Sequence, residues 1–255
     1  MNRLLFLGTG AADWDISCKG DFFRRDSAVL VNNRLMIDCG AHIFDFAESI
    51  GRPDLYQDVS DILITHHHAD HCCKDSVHRL AQHHPIRVCC SEKTAARIGP
   101  HPNLTYLHPT PFVQFSLHDF SVIPLLANHD VILTRDDFAL HYILITPDQK
   151  ALFYGLDGAW FLRPSWEVMK QYQFDLMVLD CTVGDRDDWR IFEHNTIPML
   201  RMMVREIRAC QMQKEGGKLI ASHLARTLHP SQKETESILQ TIPMTVAFDG
   251  MELEF

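Results

Sequence analysis

A single run of seven residues constrains this chain more than any other feature. Residues 65–71 read Thr-His-His-His-Ala-Asp-His and directly follow a short apolar, strand-like stretch. Because side chains of an extended segment repeat every second position, His66 and His68 point the same way, and Asp70 and His71 then lie on the turn that leaves the strand. Neutral imidazoles and a carboxylate suit divalent ions such as zinc, manganese or iron. The run therefore predicts a metal site at a strand-to-helix turn.

The counts of histidine and cysteine agree with a metal site of nitrogen and oxygen ligands. The chain has sixteen histidines, which is many for 255 residues. Its eight cysteines include no Cys-x-x-Cys pair, so the usual sign of a thiolate zinc site is missing. In a chain of this size without an export signal, we expect reduced thiols and a cytoplasmic location.

Size and charge limit the kinds of partner. With 255 residues the chain is expected to form one domain over 1–255. The formal net charge is -9 and there is no block of Lys or Arg, which argues against a protein that holds nucleic acid by its phosphates. No window is free of charged or turn-forming residues over the roughly 20 positions that a membrane span needs. We expect a small-molecule substrate, no nucleic acid and no membrane.

Hydrophobic patterning predicts an α+β fold. Predicted strands cover 4–7, 28–31, 35–37, 62–65, 112–117, 121–125, 140–146, 151–154 and 176–179, with a late strand ending at Ser222. Predicted helices cover 43–50, 73–83, 91–98, 164–172 and 196–212. Asn32-Asn33 and residues 147–149 are expected to close hairpins. The longest helix should begin at Asn195 or Thr196 and end at Gly216-Gly217. Strands in runs with single helices between them indicate two mixed sheets with helices on the outer faces.

The pattern Thr-His-x-His-x-Asp-His after a strand resembles the signature of the metallo-β-lactamase superfamily, whose fold is a four-layer αββα sandwich. The resemblance implies three more ligands, each at a strand end, and His129, Asp157 and His223 stand at matching positions. Taken singly, a His or Asp at a strand end is more often a capping or surface residue; order and context together favour a ligand set.

The resemblance also assigns these side chains to two divalent ions. The implied ligands are His66, His68 and His129 for one ion, Asp70, His71 and His223 for the other, and Asp157 for both. Zinc or manganese is expected, with iron as a third option, and Asp70 is expected to be catalytic as well as a ligand. Asp38 matches an early aspartate of the family that would orient a ligand imidazole. The alternative is that Asp38 caps the helix that starts near Ala41.

Within the superfamily, the whole chain resembles the phosphonate-pathway phosphodiesterases that open a ribosyl 1,2-cyclic phosphate. The matching features are the opening Leu-Gly-Thr-Gly, Asn128-His129, Leu179-Asp180-Cys181, His194-Asn195-Thr196 and residues 248–252. The resemblance implies that a hydroxide shared by both ions attacks phosphorus, while His194 contacts the phosphate and protonates the leaving oxygen. The alternative for His194 is a polar residue preceding a helix cap.

One departure from that subfamily concerns a loop near the amino terminus. The phosphonate-pathway enzymes carry an early Cys-x-Cys-x-x-Cys cluster that holds a structural zinc, whereas the matching stretch here has only Cys18. We therefore expect no structural zinc in the loop 13–23. Trp14, Phe22 and Phe23 would instead line a pocket or pack.

Three rival functions stay open. A hydrolase on the same metals could act on an ester, a thioester, a lactone or a cyclic nucleotide. A tRNA 3′-processing nuclease shares the histidine motif but needs a basic arm that this chain lacks. A metal-binding scaffold without chemistry would not need every ligand position filled. The favoured partner is a small phosphodiester, and the resemblance also admits a homodimer.

Overall fold

The computed structural model describes residues 2–15, 23–129 and 138–255. Cys18 and Phe22 lie outside the described residues, so the expectations about them stay predictions. Within the described ranges the chain divides into two compact units. The first comprises the described residues of 2–109, Phe138 and 248–254, and the second comprises those of 110–129, 139–247 and Phe255. The expectation of a single domain over 1–255 also stays a prediction.

The first unit is built on a mixed sheet of seven strands among its described residues. The strands are β1 (Arg3–Gly8), β2 (Ala28–Val31), β3 (Leu35–Ile37), β4 (Asp61–Leu63), β5 (Ile86–Cys89), β6 (Leu104–Leu107) and β14 (Glu252–Glu254). They lie in the order β14-β1-β2-β3-β4-β5-β6, antiparallel from β14 to β3 and parallel from β3 to β6. Helices α1 (Ile43–Ser49), α2 (Lys74–Leu80) and α3 (Glu92–Ile98) connect the parallel strands.

The second unit has a matching sheet of seven described strands. The strands are β7 (Phe115–Leu117), β8 (Phe120–Leu126), β9 (Leu140–Ile145), β10 (Ala151–Gly155), β11 (Phe174–Asp180), β12 (Gln213–Ser222) and β13 (Thr245–Val246). They lie in the order β13-β12-β11-β10-β9-β8-β7, antiparallel from β7 to β10 and parallel from β10 to β13. Helices α4 (Arg163–Met169), α5 (Ile197–Ala209) and α6 (Gln232–Leu239) connect the parallel strands.

Helix α5 shows how sequence places these helices. Its buried residues recur three and four positions apart, so they form one apolar stripe. They are Ile197, Met199, Leu200, Met203, Val204 and Ile207. The stripe belongs to the same core as strand residues Phe153, Phe174 and Leu179. Burying one such side chain contributes roughly 1.5–3 kcal/mol, so the stripe, rather than the intrinsic helix propensity, holds α5 in place.

The α+β class and the two mixed sheets are confirmed. Both expected hairpins are present, with Asn32 and Asn33 at φ +50° and +59° between β2 and β3, and Gln149 at +61° between β9 and β10. The expected start of the longest helix is also right, because Thr196 caps α5 by accepting a hydrogen bond from the Met199 N–H at 3.2 Å.

The expected end of that helix is wrong. Helix α5 ends at Ala209, and Gln211 adopts the left-handed conformation with φ +56°. Gly216 and Gly217 lie within β12, where a Cβ on Gly217 would come 2.7 Å from the Phe174 carbonyl oxygen. Gly217 therefore permits a close approach of β12 to β11, and Gly216 adopts the left-handed conformation with φ +75° beside it, so neither glycine caps a helix.

Other elements differ from the sequence expectations by length or by omission. The strand expected over 112–117 begins only at Phe115, and Phe112 has φ +66°. Strands β5, β6, β13 and β14 and helix α6 were not expected from the sequence. Among the described residues, no helix combines the length and the apolar character that crossing a membrane requires.

Candidate metal centre

In the first unit, the predicted ligands follow two neighbouring parallel strands. Strands β3 and β4 pair in parallel, with Ile37 opposite Leu63. Their carboxyl ends therefore meet at one edge of the sheet, where polar sites of such sheets are usually found. Asp38 follows β3, and the histidine motif follows β4.

Asp38 organises the start of the motif. Its Oδ1 accepts hydrogen bonds from the Thr65 backbone N–H and from the Thr65 hydroxyl, both at 2.8 Å. Its Oδ2 lies 2.8 Å from Nδ1 of His71, and both side chains are fully buried. Helix α1, in contrast, has His42 at its N-cap position and no side-chain cap. Asp38 therefore contacts the motif and does not cap that helix.

These contacts determine which ring nitrogen of two histidines carries the proton. The Thr65 hydroxyl donates its hydrogen bond to Asp38, so its oxygen accepts from Nδ1 of His66 at 3.0 Å. His71 likewise donates from Nδ1 to Asp38. Since a neutral imidazole has one N–H, Nε2 of both rings keeps its lone pair. A lone pair on Nε2 is the state required for binding a metal ion.

The remaining residues of the motif lie close by. The ring centroid of His66 is 4.5 Å from that of His68 and 4.4 Å from that of His71. Oδ2 of Asp70 is 3.5 Å from Nε2 of His71. The carbonyl of His68 accepts from the N–H groups of His71 and Cys72, at 3.0 and 2.8 Å, so Asp70 lies inside a tight turn.

In the second unit, polar side chains likewise lie at or just after the carboxyl ends of three parallel strands. Gly155 of β10 is opposite Leu179 of β11, and Asp180 of β11 is opposite Ser222 of β12. The side chains that follow these strand ends are Asp157, Thr182 and His223. Asp157 and His223 both adopt positive φ, at +55° and +61°. Left-handed conformations of residues other than glycine are strained and concentrate at functional sites.

Asp180 and Thr182 form the centre of this second network. Oδ2 of Asp180 accepts from the Thr182 hydroxyl at 2.7 Å and lies 3.2 Å from Nδ1 of His194. Its Oδ1 accepts from the backbone N–H of Asn195 at 2.8 Å. The oxygen of Thr182 is 2.7 Å from Nδ1 of His223. The arrangement repeats, in the second unit, the Asp–Thr pair that holds His66 and His71 in the first.

Asp157 approaches three histidines of the second unit. Its Oδ1 lies 2.9 Å from Nδ1 of His223 and 3.7 Å from Nδ1 of His194. Its Oδ2 lies 3.4 Å from Nε2 of His129. One candidate ligand atom from each of Asp157, Asp180, His194 and His223 lies within 4.8 Å of the others, and the same holds for His129, Glu193 and His194. Buried carboxylates and imidazoles at this separation fit a divalent cation.

The ionisation of this network favours a charged His194. Burial raises the pKa of Asp180, but the charges of His194 and His223 and their hydrogen bonds outweigh burial and bring that pKa below 3.8. Burial lowers the pKa of His194, but the carboxylates of Asp157 and Asp180 outweigh it and bring that pKa above 6.5. The two carboxylates therefore favour the charged form of the His194 ring.

The loop that carries Asp157 is supported by three further side chains. Nε2 of His141 lies 3.3 Å from the Asp157 carbonyl oxygen. Asn195 donates to the Gly158 carbonyl, and Asn128 donates to the Ala159 carbonyl, both at 2.8 Å. Burial lowers the pKa of His141 to about 4, so its ring is neutral at physiological pH. The neighbours of His129 and His194 in sequence thus hold the Asp157 loop.

Sequence reasoning missed four residues of these networks, namely Thr65, His141, Asp180 and Thr182. Asp180 was noticed only as part of a matching strand end. A usable signal existed in the sequence, because Asp180, like Asp38, directly follows an apolar, strand-like run of residues. His141 had no such signal, since it lies near the start of strand β9 and not at the end of a strand.

Comparison with known proteins identifies the family of the chain and solved structures that share its fold. Residues 33–238 match the family described as "Beta-lactamase superfamily domain". No curated protein matches the chain by sequence.

Solved structures resemble the chain over nearly its whole length. The metallo-beta-lactamase fold protein YhfI from Bacillus subtilis has 12% identity and a TM-score of 0.76, with 100% of each chain covered. A diphosphatase of the PhnP family has 19% identity and a TM-score of 0.76, covering 100% of this chain and 98% of that one. The short form of human tRNase Z has 17% identity and a TM-score of 0.65, covering 99% and 98%. At such identities the likeness concerns the fold alone, which is the metallo-β-lactamase fold.

Proposed function

The chain belongs to the beta-lactamase superfamily, and we propose that it is a metal-dependent phosphodiesterase that opens a small cyclic phosphodiester such as a ribosyl 1,2-cyclic phosphate. Two divalent ions would be held by seven side chains. The proposed ligands are His66, His68 and His129 for one ion, Asp70, His71 and His223 for the other, and Asp157 for both.

One observation carries the proposal: each unit contains a buried Asp–Thr pair that engages Nδ1 of two histidines. Asp38 with Thr65 engages His66 and His71, and Asp180 with Thr182 engages His194 and His223. Histidines that bind metal ions almost always donate their other ring N–H to a carboxylate, a carbonyl or water. A buried carboxylate without such a role would be costly, so these pairs support a metal site.

The donor set indicates which metals fit. All seven proposed ligands are imidazoles or carboxylates, and no thiolate is among them. Such a set suits zinc or manganese, with iron as a third option. Ions bound there would activate water at neutral pH and offset the charge that builds on the phosphoryl oxygens.

His194 is the residue that we assign to the leaving group. Its Nδ1 is engaged by Asp180, so Nε2 is the ring nitrogen that remains for a substrate. Asp157 and Asp180 raise the pKa of His194 against the effect of burial, which favours the protonated ring that a general acid needs. A charged imidazole beside a departing alkoxide can act as a general acid.

The proposed reaction balances as a simple hydrolysis. A water oxygen bonds to phosphorus, the bond from phosphorus to the alcohol oxygen breaks, and His194 gives its proton to that oxygen. The proton released from water restores the charged His194. The product of ring opening is a phosphomonoester that carries the freed hydroxyl. Asp38 and Asp180 take no part in bond breaking and act by orienting imidazoles.

Fold similarity supports phosphorus as the reacting centre. The structures that share this fold include a diphosphatase of the PhnP family and a tRNase Z, both named for cleavage of phosphate linkages. A tRNA substrate is disfavoured here by the net charge of -9. A cytoplasmic location and a homodimer stay predictions.

The experiment that tests the proposal compares two reporter substrates. Protein loaded with zinc or manganese, with its metal content quantified, is given bis(p-nitrophenyl) phosphate and p-nitrophenyl acetate. The proposal predicts metal-dependent cleavage of the diester with little cleavage of the ester. The reverse preference would overturn it in favour of an esterase, thioesterase or lactonase. A protein active on the diester is then given a ribosyl 1,2-cyclic phosphate and a cyclic nucleotide.

A further inference from the structure

The second unit contains a cavity of about 840 Å³ that no step of the proposed reaction uses. Its wall includes Asn128 and Thr196, which are one residue before His129 and two residues after His194. The cavity therefore begins beside a proposed metal ligand and the proposed general acid. Sites for small organic molecules occupy roughly 300–1,000 Å³, so this cavity is large enough for more than a sugar.

Trp160 is held in the wall by its backbone. It adopts φ +56°, and its N–H donates to Oδ1 of Asn195 at 2.8 Å. A bulky residue in the left-handed region costs on the order of 1–3 kcal/mol and persists only where its surroundings determine it. Trp160 is nevertheless 42% exposed. The strain therefore keeps an indole at an open cavity and does not bury it in the core.

A second aromatic wall comes from the short 3-10 helix Trp189–Phe192. Trp189 and Phe192 are 66% and 76% exposed. Asp188 caps this helix through the Arg190 N–H and pairs with the Arg190 guanidinium, both at 2.9 Å. That guanidinium lies 5.6 Å from the centre of the Trp189 ring. The capped turn thus presents aromatic rings in a defined orientation, and exposed aromatic clusters of this kind mark binding sites.

The charges of the cavity limit the kinds of ligand that it can bind. Asp185, Asp187 and Asp188 line it together with one cation, Arg186. These carboxylates would repel a second anionic group of the ligand, and an alkyl chain would leave them without hydrogen-bond donors. Hydroxyl or amino groups, in contrast, can donate hydrogen bonds to them. A ligand with a flat ring and such donors matches both the aromatic and the acidic parts of the wall.

From these features we infer that the cavity takes the organic portion of the substrate and that this portion is a nucleoside, which makes a cyclic nucleotide the preferred member of the proposed class of small cyclic phosphodiesters. Its base stacks against the Trp189–Phe192 wall, and its hydroxyl or amino groups donate to the acidic residues. The identity of the substrate as a nucleoside phosphodiester rests on the proposed function. Base binding itself does not, because it can be measured without turnover.

The test is calorimetric titration of the protein with adenosine 5′-monophosphate, with ribose 5-phosphate and with phosphocholine. The first two ligands differ by the base alone. Adenosine 5′-monophosphate is expected to bind at least tenfold more tightly than ribose 5-phosphate, in both the zinc-loaded and the metal-free protein. Trp189→Ala should weaken its binding roughly five- to a hundredfold, which is the usual effect of losing one stacked base.

Two variants control for folding. Trp189→Phe keeps an aromatic ring and should retain most of the affinity, and Met202→Ala removes an exposed side chain of α5 outside this cavity and should change nothing. Equal binding of the two sugar phosphates, or tighter binding of phosphocholine, would overturn the inference. A preference for the nucleotide in a protein without diester hydrolysis would support the cavity assignment and overturn the proposed function. Diester hydrolysis without a preference for the nucleotide would support the proposed function and overturn the cavity assignment.

Discussion

Oδ2 of Asp38 lies 2.8 Å from Nδ1 of His71, and neither side chain is exposed to solvent. No other orientation of the imidazole would keep this buried contact, so the pair fixes both the ring and its protonated nitrogen. The contact holds Nε2 of His71 on the side of Asp70, 3.5 Å from its carboxylate. Two candidate ligands of one ion are thus positioned by a residue that need not touch the ion.

Replacing this carboxylate should weaken metal binding. In Asp38→Asn, one amide group cannot accept from both Thr65 and His71, so one buried donor loses its partner. We expect zinc affinity to fall roughly ten- to a hundredfold, as is usual for residues that orient a ligand. Competition with a chelator measures this affinity. Asp54→Asn, which removes an exposed carboxylate, is the matched control, and equal affinity in both variants would contradict the role of Asp38.

His194 should affect turnover without affecting metal content. His194→Ala removes the proposed general acid, so we expect the turnover of diesters with a poorly leaving alkoxide to fall about 10²–10⁴-fold. Diesters with a p-nitrophenolate leaving group need little protonation and should be affected much less. Metal content per chain is measured in parallel. Because His194 lies among Asp157, Asp180 and His223, loss of metal would make it a ligand instead.

The motif 65–71 could be predicted because it is local: strand, turn and ligands lie within a few residues of one another. His129, Asp157 and His223 were reachable only through a resemblance, since nothing in their own neighbourhoods distinguishes them from other polar strand ends. Asp180 and Thr182 matter through contacts with His194 and His223, which are 14 and 41 residues away in sequence. Such contacts depend on the parallel order of β10, β11 and β12, which hydrophobic patterning does not specify.

Local sequence signals for helix ends also misled in two ways: one indicated a helix end that the structure lacks, and another marks the start of a helix that was not expected. Gly216-Gly217 has the composition of a helix end, yet Gln211 takes the left-handed conformation near the true end of α5. Ser231 and Glu234 form a capping box at the start of α6, a pattern that is visible in the sequence although this helix was not expected. Glycine pairs serve close strand contacts as well as helix ends, and only the tertiary structure distinguishes the two uses.

The metal-free protein should show a pH-dependent contribution from His194. The pKa of His194 is raised above 6.5 and that of Asp180 is lowered below 3.8. The stability that His194 contributes is present below pH 6.5 and is lost as the pH rises through the pKa that His194 has in the folded protein. The stability that Asp180 contributes is present above pH 3.8 and is lost as the pH falls through the pKa of Asp180 in the folded protein. The free energy of unfolding should therefore fall more in His194→Gln at about pH 5.5 than at about pH 9. Urea unfolding measures this difference, and equal losses at the two values would contradict it.

The buried thiols should be inert. Burial raises the pKa of Cys39, of Cys90 and, to about 12 in each case, of Cys72 and Cys89. The thiolate is the reactive form, so these residues should resist alkylation in the native state. Among the described cysteines, Cys210 is exposed and should be modified first. Peptide mapping after brief iodoacetamide treatment identifies the modified sites, and rapid labelling of Cys39 or Cys90 would contradict their burial, since both are 0% exposed.

The most direct test of the central claim is the metal content of the protein after zinc loading and removal of loosely bound metal. Elemental analysis should find two ions per chain in the wild-type protein and at least one fewer in His68→Ala, with His118→Ala as a control at a histidine outside the predicted ligand set. Diester hydrolysis should be nearly lost in His68→Ala while the fold persists. Two ions with full hydrolysis in His68→Ala, or fewer than two in the wild-type protein, would contradict the dinuclear site.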